Sequence, residues 1–302
     1  MAVSARLIRR RIKSVRNTRK ITKAMELVAA SKMRRSVQAV LSSRPYAALA
    51  WETVRSVSRE VDPSLHPLLR RGGEKTGKIL VVLLTSDRGL AGGFNTNVVR
   101  KALGEMRRAF PEREIDVVAV GKRGAEAVRR AGKTVIASFT GMTNHPRFED
   151  ILPLSRFLAE EFTKGTYGSV LLAYTDFFSA LSQKPTVVKL LPVAGSGIGG
   201  LGEVGKKEEE RPSERRTEYC FEPSPREVLE RMLPRLVSLL TYQAVLESAA
   251  SEHAARMMAM RSASDAAAEM IENLSFAYNQ MRQAGITREI AEISGGKAAL
   301  ET

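Results

Sequence analysis

The chain is poor in the groups that build most active sites. It has one cysteine, Cys220, and three histidines, His66, His145 and His253, none with a second histidine at metal-ligand spacing. An internal disulfide framework and a multi-cysteine metal cage are therefore excluded, and metal catalysis has little to work with. Aromatic residues are only 6% of the 302. No uncharged apolar run approaches the roughly 18 residues that a membrane-spanning helix requires. From Arg235 to Ala284 there is neither glycine nor proline. Nothing in those fifty residues interrupts a helix, which would reach about 75 Å at 1.5 Å per residue.

What is present is charge, alanine and aliphatic side chains. Hydrophobic residues make up 43% and charged residues 27%, enough to bury a core. The net charge of +15 is concentrated at the start, where residues 1–36 carry twelve Lys or Arg against one acid, Glu26. Such a block attracts polyanions: nucleic acid, an acidic membrane surface or an acidic protein. It also has the composition of a transit peptide. However, Ile8, Ile12, Val15, Thr22, Met25, Ala29 and Met33 recur at mostly three- and four-residue steps, which predicts a long helix opening at Ser4. The pattern continues through Val37, Val40, Leu41, Trp51, Val54, Val57 and Val61. Pro45 is expected to kink or break this helix, and Pro63 and Pro67 to end it.

The period then changes. Lys78–Thr85 is a short continuous apolar run, the pattern of a strand buried on both faces. A helix is expected over Thr96–Phe110, a strand at Ile115–Val120, a helix at Gly124–Ala131 and a strand at Thr134–Phe139. A helix over Glu149–Thr163 and strands at Ser169–Tyr174 and Thr186–Val193 follow. This alternation predicts a Rossmann-like, mostly parallel α/β sheet. Residues 195–216 hold six glycines and a charged run, the composition of a flexible loop. From Pro225 the pattern is helical to the end. Nine alanines, three methionines and three serines within Ala249–Ala268 form a shallow stripe. The expected architecture has three parts: an N-terminal helix over 1–62, an α/β domain over 74–222 and a C-terminal helix over 223–302. The two end helices pair as an antiparallel two-stranded coiled coil, leaving apolar surface for another molecule to sheath.

Chemistry-bearing patterns are few. Gly89-Leu-Ala-Gly92-Gly93-Phe-Asn95 stands where a phosphate-binding turn would lie, but it matches neither nucleotide fingerprint. A tight turn with Asn95 as N-cap accounts for it better. Asp87 and Arg88 read as a local ion pair shaping that turn. His253, beside Glu252, reads as a packing or capping residue. No catalytic residue, cofactor site or metal site is expected.

The stretch Arg11-Ile-Lys-Ser-Val-Arg-Asn-Thr-Arg-Lys-Ile-Thr-Lys-Ala-Met-Glu-Leu-Val-Ala-Ala-Ser-Lys32 resembles the N-terminal helix of the gamma subunits of F-type ATP synthases. The likeness continues through Ser43-Arg-Pro-Tyr46, Ser86–Asn95, Glu252-His-Ala-Ala-Arg-Met257 and the stretch from Arg282 to Ile293. The resemblance implies a non-catalytic rotor shaft, one copy per complex, inside a ring of three alpha and three beta subunits. The α/β domain would sit against the epsilon subunit and the c-ring, peripheral to the cytoplasmic face of a bacterial inner membrane. Ion flow would turn c-ring and shaft, and the shaft would drive ATP synthesis on the beta subunits and regulate hydrolysis. No nucleic acid and no cofactor is implied.

Residue by residue, Lys23, Met25 and Arg256 resemble the positions that meet an acidic beta lever. Arg282 and Gln283 resemble upper contacts with a beta loop, and Tyr219, Phe221 and Glu222 the foot on the c-ring. On this basis Arg256→Glu is expected to impair coupling more than assembly. The chain departs from the pattern at Ala91, where a cysteine is common, and at Lys297 after Gly296. Its single cysteine excludes the regulatory dithiol of the plant form. A basic coiled coil that binds nucleic acid is the alternative, although the basic block lacks interleaved aromatics for base stacking.

Overall fold

The computed structural model describes residues 5–60, 62–69, 78–193, 222 and 224–300. Ser4, the 195–216 loop, Tyr219, Cys220 and Phe221 lie outside the described residues. The chain divides into two units, one of residues 1–28 with 257–302 and one of residues 29–256.

The larger unit is built on a five-stranded sheet in the order β3-β2-β1-β4-β5. The strands are β1 (Lys78–Leu84), β2 (Ile115–Val120), β3 (Thr134–Phe139), β4 (Tyr167–Phe177) and β5 (Gln183–Leu191). β1 to β4 run parallel and β5 is antiparallel to β4. Only five residues join β4 to β5, too few for the crossover that a parallel pair needs.

Alternate side chains of β1 point to opposite faces, and both faces are covered, which is why Ile79–Leu84 is apolar without a break. Ile79, Val81 and Leu83 pack with Val98, Ala102 and Met106 of helix α2 (Phe94–Ala109) and Val128 of α3 (Lys122–Arg130). Leu80, Val82 and Leu84 pack with Ile151, Leu154 and Leu158 of α4 (Phe148–Thr163). On that second face they also meet Leu229, Leu233, Leu236, Val237 and Leu240, the opening turns of a long helix, α5 (Pro225–Leu300). The C-terminal helix is therefore part of the α/β core.

The N-terminal helix, α1, spans Ala5–Glu60 and runs through Pro45 unbroken. Two short 3-10 helices, Pro63–Leu65 and Pro67–Leu69, follow it. Asp62 accepts from Ser64 N at 2.9 Å and His66 Nδ1 accepts from Leu68 N at 3.2 Å, and Leu68 and Leu69 are delivered to the core. Burial favours the neutral imidazole of His66 and lowers its pKa, opposed by Glu230.

α1 and α5 pair antiparallel. Within the larger unit Val40 packs on Leu246 and Ala250, and Ser43 Oγ donates to Gln243 Oε1 at 2.6 Å. Rising numbers on one helix thus meet falling numbers on the other. In the smaller unit the hydroxyls of Thr22 and Ser264 share a buried hydrogen bond of 2.7 Å. Ile8, Ile12, Met260 and Ala267 are also buried there. No described helix is long and apolar enough to cross a membrane.

Candidate functional site

In the smaller unit the candidate residues lie on the outside of the paired helices. Lys23 is 59% exposed and its Nζ lies 2.9 Å from Glu26 Oε2, one turn on. Such a pair contributes little to stability and leaves the cation available. Met25 is half-buried, and Arg282 and Gln283 are exposed. Thr22 is level with Ser264, and Arg282 is 18 residues further along α5. Lys23 and Met25 therefore occupy a different level from Arg282 and Gln283, about 27 Å away at 1.5 Å per residue. Around them large apolar side chains face outward: Ile21, Leu27 and Val28 on α1, and Met270, Phe276, Ile286, Ile290 and Ile293 on α5. Arg9, Arg10, Arg11, Lys13, Arg16, Arg19 and Lys20 are all exposed among them.

The larger unit holds Arg256, in different surroundings. Its side chain is 13% exposed, and Nη1 lies 2.8 Å from Oε1 of Glu252, whose side chain is 5% exposed. Nη2 donates to the carbonyls of Arg88 at 3.4 Å and Gly89 at 3.3 Å. The guanidinium thus fastens α5 to the glycine turn that follows β1. Burial raises the Glu252 carboxyl while Arg256 pulls it back down. Next to it His253 is pushed down to about 4, first by burial and then by the positive charges of Arg256 and Lys32. Lys32 Nζ donates to Asn144 Oδ1 at 2.6 Å, which brings α1 to the same place.

The turn is held from several sides. Asn95 does not cap α2: the N-cap is Gly93 and no side chain fills that role. Instead Asn95 Oδ1 accepts from Ser86 N at 2.9 Å and its Nδ2 donates to Ser86 Oγ at 2.7 Å, closing the turn across its mouth. Asp87 does not pair with Arg88 either. Its oxygens accept from Lys122 N at 3.2 Å and Gly141 N at 2.8 Å, tying the ends of β1, β2 and β3 together. Thr85 Oγ1 donates to Val120 O at 2.8 Å and accepts from Gly124 N at 2.9 Å. Leu90, at φ 62°, adopts a left-handed backbone and projects its side chain outward.

Of the foot residues only Glu222 is described, and it is exposed. Among the described residues no cluster of three or more His, Cys, Asp or Glu is placed to hold a metal.

Sequence reasoning missed a third group. Arg44 of α1 meets Glu247 of α5 at 3.0 Å, and Glu247 is fully buried. Ser43-Arg-Pro-Tyr46 had signalled that the place matters, and a glutamate in an Ala-rich helix was the other available sign. Neither names the partner.

The family model described as ATP synthase matches residues 4–300. The ATP synthase gamma chain of Pelotomaculum thermopropionicum is 41% identical over 298 residues, covering 99% of both chains. That of a Roseiflexus species is 42% identical over 302 residues, covering 98% of each. Among solved structures, one of the central stalk and c-ring of the Tetrahymena thermophila mitochondrial ATP synthase aligns with a TM-score of 0.59 at 25% identity. It covers 81% of this chain and 99% of the other. A chain of the Euglena gracilis mitochondrial enzyme shares the fold, with a TM-score of 0.65 at 20% identity, covering 98% of this chain and 94% of that one. A nucleic-acid-binding coiled coil finds no support in these matches. With the paired terminal helices and the intervening α/β sheet, they show that this chain belongs to the ATP synthase gamma-chain family.

Proposed function

We propose that this chain is the central rotor shaft of a proton-transporting ATP synthase, coupling rotation of a membrane-embedded c-ring to the catalytic cycle of the beta subunits. The observation that carries the reading is the pair of antiparallel terminal helices, one rooted in the sheet core, whose outer side chains are apolar and cationic together. An exposed surface of that kind calls for a sheath. A ring of three alpha and three beta subunits around one copy of this chain would supply it. The shallow Ala, Ser and Met side chains suit rotation, because deep knobs would lock at each angle. Exposed cations facing acidic loops attract with little angular preference, and salt weakens them over a Debye length of about 8 Å.

Within this reading the working parts are a shaft helix over 1–62, an α/β domain over 74–222 and a second shaft helix over 223–302. Lys23, Met25 and the exposed edge of Arg256 meet an acidic beta lever, and Arg282 and Gln283 meet a beta loop higher up. Tyr219, Phe221 and Glu222 rest on the c-ring, beside the epsilon subunit, on the cytoplasmic face of a bacterial inner membrane. ATP is made and hydrolysed on the beta subunits.

The test is ATP-driven proton uptake by membrane vesicles carrying the complete complex, with and without this chain. Uptake that depends on the chain is expected. Equal uptake in its absence would overturn the reading.

A further inference from the structure

A helix usually meets a sheet through apolar contacts, which are non-directional: they resist separation far more than they resist sliding or twisting. Hydrogen bonds weaken steeply once bent below about 120° and therefore resist reorientation. At one level of α5 several such bonds converge on strand β4. Phe177 N donates to Glu247 Oε2 at 3.2 Å, Thr175 N donates to Ser248 Oγ at 3.2 Å, and Ser251 Oγ donates to Thr175 O at 3.1 Å. The strand's backbone is open to the helix here because the pairing of β1 with β4 stops at Leu83↔Ala173, while β4 runs on to Phe177. Arg44 brings α1 into the same knot, donating to Glu247 Oε1 from Nε at 3.2 Å and Nη2 at 3.0 Å. Gln243 Nε2 adds a bond to Glu247 Oε1 at 3.0 Å.

Glu247, Ser248 and Ser251 are each 0% exposed. Apolar residues of similar volume at such a place are commonly no less stable, because burying polar and charged groups has a large desolvation cost. Stability alone therefore does not account for three polar residues at this level of an Ala-rich helix. Directional rigidity does. We propose that Glu247, Ser248 and Ser251 form the torque joint of the rotor, holding the rotational position of α5 and, through Arg44, of α1 against the sheet. They are positioning residues and touch no substrate. This rests on the rotor reading above.

The test is single-molecule rotation of the assembled complex, with the alpha–beta ring fixed, a probe on the α/β domain and ATP as fuel. Angular variance during a dwell is inversely proportional to torsional stiffness. The variance is expected to widen at least about twofold in S248A/S251A, which removes both serine bonds to the strand backbone. E247Q, which keeps the side chain's shape and removes its charge, is expected to widen it as well. S248T/S251T keeps both hydroxyls and is expected to restore the parent variance. A purely structural role would lower the melting temperature of the complex and leave the variance unchanged. Parent-like variance in S248A/S251A complexes that rotate would overturn the joint. If E247Q fails to assemble, the serine pair decides alone. A parent complex that shows no ATP-driven rotation of this chain would sink the rotor reading, and the joint with it.

Discussion

Arg256→Glu tests what the shaft arginine does inside its own chain. In the folded protein its guanidinium lies 2.8 Å from a Glu252 carboxylate that is almost fully buried, and it also binds two backbone carbonyls of the glycine turn. Removing one partner of such a pair costs about 3–5 kcal/mol, because the other charge stays buried and unpaired. A second carboxylate about 4 Å away would add about 4 kcal/mol of repulsion at an effective dielectric of 20. That addition is largely relieved by proton uptake, since burial already raises the Glu252 carboxyl. The expected loss is therefore about 3–5 kcal/mol, a large part of the total stability of an ordinary domain. Urea unfolding of the full chain at pH 7, followed by circular dichroism, measures it. Amide exchange over residues 86–93 should accelerate in parallel. Arg256→Leu with Glu252→Leu removes both charges and should lose less than half as much. A loss under about 1 kcal/mol for Arg256→Glu, or equal losses for the single and double variants, would refute the reasoning. These contacts reverse the expectation drawn from the resemblance: in the assembled complex the damage should appear first as loss of fold around the turn and only afterwards as loss of coupling.

Gly121 sits at φ 93°, and a Cβ there would run into the Thr85 carbonyl. Gly121→Ala should cost about 2–4 kcal/mol from the left-handed backbone and the overpacking together, whereas Gly132→Ala, with open space around it, carries only the backbone part. Equal losses in thermal unfolding would contradict this. His253 should make the fold acid-sensitive: its folded pKa is about 4 against an ordinary value near 6.5. Above about pH 6.5 the imidazole is neutral in both states, and its contribution is fully present. As pH falls from 6.5 to 4 the unfolded chain takes up a proton that the folded chain does not, and about 3 kcal/mol is lost. His253→Gln should flatten that part of the stability–pH curve, and an unchanged slope would count against the assignment.

The strands Ile115–Val120 and Thr134–Phe139 were legible to the residue, because each is a mainly apolar or β-branched run with a glycine within two residues of its end. The two long helices were legible in outline, from their periodicity and, over Arg235–Ala284, from the absence of glycine and proline. The direction of β5 was not. Placing β4 at Ser169–Tyr174 and β5 at Thr186–Val193 left a gap long enough to hide the hairpin, and only the extra residues of β4 and β5 reveal that five residues join them. Of the two outcomes expected at Pro45, the break does not occur, since a long helix anchored on both sides of a proline can absorb one missing hydrogen bond. At the site, the pairing of Glu252 with Arg256 follows from i,i+4 spacing. The carbonyls of Arg88 and Gly89 lie more than 160 residues away in sequence, and no local pattern points to them. Asn95 and Asp87 were read as serving their own turn, while Asp87 in fact serves the neighbouring strand ends, an outcome that only the strand order dictates.

The measurement that tests the central claim most directly is native mass spectrometry after co-expression with the alpha and beta subunits of an F-type ATP synthase. The account predicts a species with one copy of this chain for three alpha and three beta. It also predicts that rising salt dissociates that species more readily once Lys23 and Arg282 are replaced by Ala. Alpha and beta assembling normally while this chain stays alone would contradict it.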